Sequence, residues 1–217
     1  MPYVCGVKLC GLKTPEEVDL AVALGVQAVG FVLSESPRQV TARQARVLGQ
    51  RVPEKVRTHA VFGPEEPARV RAWWEESALD VAQVTASEED EAYWEALAGV
   101  PLIRGFRVRG RETLDILRSV QEEEFLLDAY VPGRAGGTGV SFDWDLARAA
   151  GRFGKVILAG GLTPENVGEA IRTARPHMVD VSGGIEHERG RKDLQRMQAF
   201  VEAVTAAVGA LAEVEEG

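Results

Sequence analysis

Eight short apolar, β-branched runs alternate with longer segments of helical period along the whole chain. No other feature constrains the fold as much. The runs cover residues 4–10, 28–32, 56–62, 81–84, 102–108, 125–128, 156–159 and 178–181. Between them, apolar residues recur at i, i+3 and i+4, as in Val18, Ala21 and Val22, in Val167, Ala170, Ile171 and Ala174, and in Leu194, Met197, Val201, Val204 and Val208. A strand followed by a helix and then another strand requires a parallel sheet, because only a long crossover can return the chain to the same edge. Eight such units of roughly 27 residues predict an α/β chain folded as a (β/α)8 TIM barrel, near the short end of that fold's range. A doubly wound open sheet is the rival architecture. No linker or shift of composition divides the chain, so residues 1–217 are expected to form a single barrel domain, with 210–217 as a frayed C-terminal tail.

Turn chemistry supports the segmentation. Thr14-Pro15-Glu16-Glu17 places a hydroxyl at a helix N-cap, proline in the first turn and glutamate three residues on. Thr163-Pro164-Glu165-Asn166 repeats that opening, and Ser87-Glu88-Glu89 reads as another cap. Gly63-Pro64-Glu65-Glu66-Pro67 marks a strand-to-helix turn.

Composition narrows the partners. Apolar residues make up 45% of the chain, enough for one sizeable core, and the net charge of −8 provides no general basic field for nucleic acid or an anionic membrane. No stretch approaches the roughly 18 apolar residues that a bilayer span needs. The opening Met-Pro-Tyr-Val-Cys has neither the basic flank nor the apolar core of a signal peptide, so a cytoplasmic protein is expected. Cys5 and Cys10 fall on opposite faces of the first strand, which argues against a disulfide between them.

In a TIM barrel, chemistry gathers at the C-terminal ends of the strands. Gly160-Gly161 and Ser182-Gly183-Gly184 follow the last two strands, where backbone N–H groups and a helix N-terminus commonly hold phosphate. Ordinary tight turns are the alternative for either site alone, and their adjacency favours a small phosphorylated ligand. Gly136-Gly137-Thr138-Gly139 reads as either a substrate-covering flap or a flexible connection. Cys10 ends the first strand and Asp128 ends an apolar run. A buried hydrophobe is the plain role of the first and a cap or a salt-bridge partner that of the second, and together they form a candidate base and acid pair at the rim. Lys8 shares a face with Cys10 and should point into the barrel, where an ammonium needs a counter-charge. Closure puts the last strand beside the first, so Asp180 is the predicted partner of Lys8. His59, His177 and His187 lack metal-ligand spacing, and no Gly-x-Gly-x-x-Gly follows a strand, so neither a metal nor a dinucleotide cofactor is expected.

Taken in order, these residues resemble the phosphoribosylanthranilate isomerase family. The likeness runs through Lys8-Leu9-Cys10-Gly11, Gly30-Phe31-Val32 with Ser36-Pro37-Arg38, and Leu127-Asp128-Ala129. It continues through Gly136-Gly137-Thr138-Gly139, Phe142-Asp143-Trp144, Leu158-Ala159-Gly160-Gly161-Leu162 and Asp180-Val181-Ser182, and ends at Gly184-Ile185-Glu186 and Lys192-Asp193. The resemblance implies an Amadori rearrangement of N-(5'-phosphoribosyl)anthranilate in tryptophan biosynthesis, without a cofactor. Asp128 is then the general acid and Cys10 the base, while Arg38 binds the anthranilate carboxylate. The phosphate rests on Gly160, Gly161, Gly183 and Gly184 with the Ser182 hydroxyl. Members occur as monomers and as dimers, which leaves a homodimer open.

Two positions depart from the family pattern. Gln83-Val84-Thr85-Ala86 replaces a usual Gln-Leu-His-Gly, and Gly183 stands where a second serine is usual. Other phosphate-binding barrel enzymes are the nearest rivals. A ribulose-phosphate epimerase would need a metal cluster, and an indole-glycerol-phosphate synthase relative would need lysines at strand ends. A non-catalytic sugar-phosphate-binding barrel is the rival of a different class. A side activity on the related histidine-pathway aminoaldose also stays open.

Overall fold

The structure, a computed structural model, describes residues 3–86, 90–108, 110–120, 122–128 and 144–216. Eight parallel strands close into a barrel: β1 (Gly6–Cys10), β2 (Ala28–Val32), β3 (Arg57–Phe62), β4 (Val81–Val84), β5 (Leu102–Arg107), β6 (Glu124–Asp128), β7 (Lys155–Ala159) and β8 (Met178–Val181). Pairing of β1 with β8 completes the ring and excludes the open-sheet alternative. Each strand is followed by a helix: α1 (Pro15–Ala23), α2 (Ala42–Gly49), α3 (Pro67–Ser77), α4 (Glu91–Ala96), α5 (Glu112–Val120), α6 (Trp144–Ala150), α7 (Val167–Ala174) and α8 (Leu194–Glu216). A 3₁₀ turn (Gly183–Ile185) and a hairpin of β9 (Glu186–Glu188) with β10 (Arg191–Lys192) stand between β8 and α8. The sequence pattern does not announce this hairpin, because its strands are too short to show a period.

Strand parity builds two cores. Outward side chains such as Leu9, Phe31, Phe62, Phe106, Phe125 and Leu158 pack under the helices. Inward ones form a separate apolar plug of Ala28, Val81, Ile103, Leu126, Ile157, Ala159 and Met178. Below the plug, at the N-terminal ends, Arg57 and Glu124 face each other. Two residues further up β1, β3, β4 and β8, the interior turns polar, with Lys8, His59, Gln83 and Asp180 all buried.

Helix starts follow local chemistry with two corrections. The Thr14 hydroxyl accepts from Glu17 N–H and the Glu17 carboxylate accepts from Thr14 N–H, which completes the expected capping box. Thr163 does not cap α7. Asn166 Oδ1 accepts from Thr163 N–H at 2.8 Å, which ties residues 163–166 into a turn, and the helix begins three residues later at Val167. Likewise α4 is capped by Asp90, whose carboxylate accepts from Tyr93 N–H, and the expected cap at Ser87-Glu88-Glu89 lies outside the described residues. The last helix continues through Glu216 into the segment expected to fray, with Leu211 buried against the core.

Candidate active site

Three strands assemble the first wall of the site. Lys8 on β1 is in register with Asp180 on β8, and its Nζ donates to Asp180 Oδ1 at 2.8 Å with the ammonium fully buried. This is the pair expected from strand parity and closure. Cys10 lies two residues further along the same face and is in register with Gly30 on β2. Gly30 matters because it has no side chain: a Cβ there would come within 2.9 Å of Cys10 Sγ and 3.1 Å of Lys8 Nζ. Thiol and ammonium therefore share one glycine-sized space. Burial would lower the Lys8 ammonium, but Asp180 and the neighbouring Cys10 hold it above its ordinary value, so it stays charged. Burial pushes the Cys10 thiol up, with Lys8 pulling down, Asp180 pushing up and Lys192 pulling down. Thiol is thus the main form at neutral pH and thiolate the minor one.

The second wall comes from loops. Gly11 turns the chain immediately after β1 with φ +77°, and Gly11 and Leu12 N–H both donate to Gly30 carbonyl. Arg38, in the loop after β2, lies across Gly11, where a Cβ would stand 2.7 Å from Arg38 Cδ. Its guanidinium forms a fork with Glu186: Nε donates to Oε1 at 2.6 Å and Nη2 to Oε2 at 2.8 Å. Lys192 Nζ donates to the same Oε1 at 3.0 Å, to Ser182 carbonyl at 3.0 Å and to Ser182 Oγ at 3.3 Å. Burial alone would raise the Glu186 carboxyl, but Arg38, Lys192 and Gly190 N–H hold it at about 2.

The glycine turns after β7 and β8 satisfy two different needs. Gly160 and Gly161 adopt φ +90° and +66°, so the first turn requires glycine for its backbone conformation. Gly183 and Gly184 do not. Gly184 is needed for closeness, since a Cβ there would come within 1.8 Å of Leu162 carbonyl oxygen. At Gly183 a Cβ would lie 3.3 Å from Arg38 Nη2, so the missing serine leaves room for the guanidinium. Asn166 Nδ2 donates to Gly161 carbonyl at 2.9 Å and steadies the first turn. Both turns flank Ser182, which accepts from Lys192 and keeps its own O–H to donate.

Asp128 ends β6 with its carboxylate half-buried, in register with Arg107 on β5 and Ala159 on β7. It shares the inward parity of Leu126, so it stands at the C-terminal rim, across the barrel from Cys10. Thr85 occupies the rim of β4 above Gly105, where a Cβ would meet its hydroxyl oxygen. The expected flap residues Gly136, Gly137, Thr138 and Gly139 lie outside the described residues.

Known proteins resemble this chain over most of its length. The family model for N-(5'phosphoribosyl)anthranilate (PRA) isomerase matches residues 7–203. The chain belongs to the phosphoribosylanthranilate isomerase family. An N-(5'-phosphoribosyl)anthranilate isomerase of Moorella thermoacetica is 44% identical over 93% of this chain and 90% of its own length. One from Geobacter sulfurreducens is 43% identical over 90% of this chain and 96% of its own. Among solved structures, the phosphoribosyl anthranilate isomerase from Thermotoga maritima superposes with a TM-score of 0.84 at 31% identity, covering 94% of this chain and all of that one. A further family structure, with a TM-score of 0.81 and 29% identity over 94% of this chain and 100% of that one, is a complex with reduced 1-(o-carboxyphenylamino)-1-deoxyribulose 5-phosphate. As a member of the phosphoribosylanthranilate isomerase family, the protein is an enzyme, an isomerase.

Three participants in the rim escape a reading of strand ends. Gly30 lies in the middle of its strand, and only its register with Cys10 reveals it. Lys192 and Glu186 belong to the hairpin, so neither sits at a barrel-strand end, although both fall inside the family motifs. No barrel strand ends on lysine, as a lysine-dependent rival would require. Lys192 reaches the rim from β10.

Proposed function

We propose that this enzyme performs the Amadori rearrangement of N-(5'-phosphoribosyl)anthranilate through Asp128 as general acid and Cys10 as general base. Asp128 protonates the ribose ring oxygen as the bond from that oxygen to C1' breaks, and the anthranilate nitrogen supplies the electrons that form a Schiff base. Cys10 thiolate then takes the proton from C2'. That electron pair forms the C1'–C2' double bond of an enolamine, which tautomerises to the ketone. The carrying observation is that Cys10 Sγ and Lys8 Nζ border the same space at Gly30: a fixed buried ammonium favours the thiolate where a base is required. Each proton-transfer group is expected to supply roughly 10²–10⁴ in rate.

Arg38 receives the anthranilate carboxylate, since a planar fork suits that group better than an ammonium does. The phosphate lies on the N–H groups around Gly160, Gly161, Gly183 and Gly184, with the Ser182 hydroxyl. Thr85 provides no imidazole at the rim of β4, so substrate contacts there differ from the family pattern. The protein acts in the cytoplasm. The dimeric state named for the Thermotoga maritima relative makes a homodimer the second proposal, checked by sedimentation.

The test is turnover of freshly generated substrate, followed by loss of its fluorescence. Rapid decay with the wild type and near-background decay with Cys10→Ala and Asp128→Asn is the expected result. A folded wild type without decay would instead favour a sugar-phosphate-binding barrel that has lost its chemistry.

A further inference from the structure

We infer that Glu186 is a positioning residue for substrate recognition: it clamps the Nε–Nη2 edge of the Arg38 guanidinium so that the Nη1–Nη2 edge faces the ligand's aromatic carboxylate. The inference rests on the carboxylate-binding role proposed for Arg38, and concerns how that role is made specific.

Arginine has five N–H donors in a rigid fork. Glu186 takes one from Nε and one from Nη2, both at short, charge-assisted distances. Both donors of Nη1 and the second of Nη2 remain, and one N–H of Nη1 lies parallel to that of Nη2 at the spacing a second carboxylate accepts. Arg38 makes no other side-chain hydrogen bond among the described residues. Its orientation therefore depends on Glu186.

Glu186 is itself built in. Its side chain is only 5% exposed, and its carboxylate accepts four hydrogen bonds, two from Arg38, one from Lys192 and one from Gly190 N–H. Lys192 is 1% exposed and is also bound to Ser182, so the clamp is tied to the turn after β8. The second cation has a purpose that a simple ion pair lacks. Arg38 shared between two carboxylates leaves one of them short of positive charge, and Lys192 makes up the difference on Glu186. Glycines at 11 and 183 let the arginine lie flat between β1 and the turn after β8. A partly exposed arginine without such a clamp would sample many rotamers and lose affinity in ordering itself.

The experiment measures dissociation constants for two inert ligands: reduced 1-(o-carboxyphenylamino)-1-deoxyribulose 5-phosphate and its anilino analogue without the carboxylate. Proteins compared are the wild type, Glu186→Gln, Glu186→Asp and Arg38→Met. Wild type is expected to prefer the carboxylated ligand by roughly tenfold or more, the scale of a charge-assisted hydrogen bond. Glu186→Gln should lose most of that preference while binding the anilino analogue within about threefold of wild type, a change no general loss of structure produces. Glu186→Asp should keep part of it. Equal weakening of both ligands by Glu186→Gln, or an intact preference, would overturn the inference. A preference that survives Arg38→Met would instead remove the Arg38 assignment and the inference with it. If Glu186→Gln does not fold, Glu186→Gln/Lys192→Met removes one charge of each sign and carries the same readout.

Discussion

Each end of the barrel carries a forked arginine–glutamate pair, and the two pairs do different things. At the N-terminal end, Arg57 Nη1 and Nη2 meet Glu124 at 2.7 and 2.8 Å. It is a one-to-one pair below the apolar plug, and its arginine is 34% exposed. At the C-terminal end, Arg38 and Glu186 are joined by Lys192, with Lys8 and Asp180 one layer deeper. Around Cys10 there are thus three cations to two carboxylates. Charge at the bottom closes on itself and supports the fold. Those five residues around Cys10 sum to one positive charge, which suits a thiolate and an anionic substrate. Similar side chains serve stability or chemistry according to their local charge balance.

The comparison breaks most readily at its largest effect. Cys10→Ala and Asp128→Asn should each lower kcat by about 10²–10⁴, whereas Arg57→Met should leave kcat/KM within about twofold of wild type. Steady-state kinetics on all three variants checks this, and a comparable loss in Arg57→Met would erase the division between the ends.

Next in size is the stability of the two pairs. Lys8→Met leaves Asp180 buried without its partner and should cost about 3–5 kcal/mol in urea unfolding. Arg57→Met, at a partly exposed pair, should cost roughly 1 kcal/mol or less. Lys8→Met should also move the pH midpoint of Cys10 alkylation upward, because Lys192 then opposes burial without the ammonium of Lys8, while Asp180 still pushes up. An unchanged midpoint would separate the ammonium from the base.

A smaller effect is expected at Gly30. Gly30→Ala would crowd Cys10 Sγ and Lys8 Nζ and should slow turnover by roughly tenfold to a hundredfold, as small displacements of reacting groups do. Wild-type rates in a folded variant would show that the shared space is not needed.

The smallest effect is a pH signature. Glu186 has an ordinary value of 4.5 and is held at about 2 in the fold. A depressed carboxylate stabilises the native state above 4.5, and that contribution disappears as pH falls from about 4.5 towards about 2. Acid-unfolding curves of Glu186→Gln should lack this step. If they match the wild type, the clamp does not contribute to stability in that window.

Much of this architecture is legible in the chain. The strands at 28–32, 81–84 and 178–181 match their predicted bounds. The Lys8–Asp180 pair followed from parity and closure alone. The helix start at Thr163 did not, since a threonine before an acidic residue serves a turn as readily as a cap. The hairpin of β9 and β10 was silent, and with it the clamp on Arg38. Cys10 and Arg38 could be named from their motifs, but not the partners that hold and tune them.

By itself the sequence determined the order and type of the barrel's strands and helices, the inward face of the first and last strands and the residues at the strand ends, because period and turn chemistry act over a few neighbours. Tertiary structure alone decided that Cys10 and Lys8 share the space left by Gly30, that Glu186 takes one edge of Arg38, and that Gly184 closes on Leu162. Those contacts join residues distant in the chain, and their geometry depends on how the barrel closes rather than on any local preference.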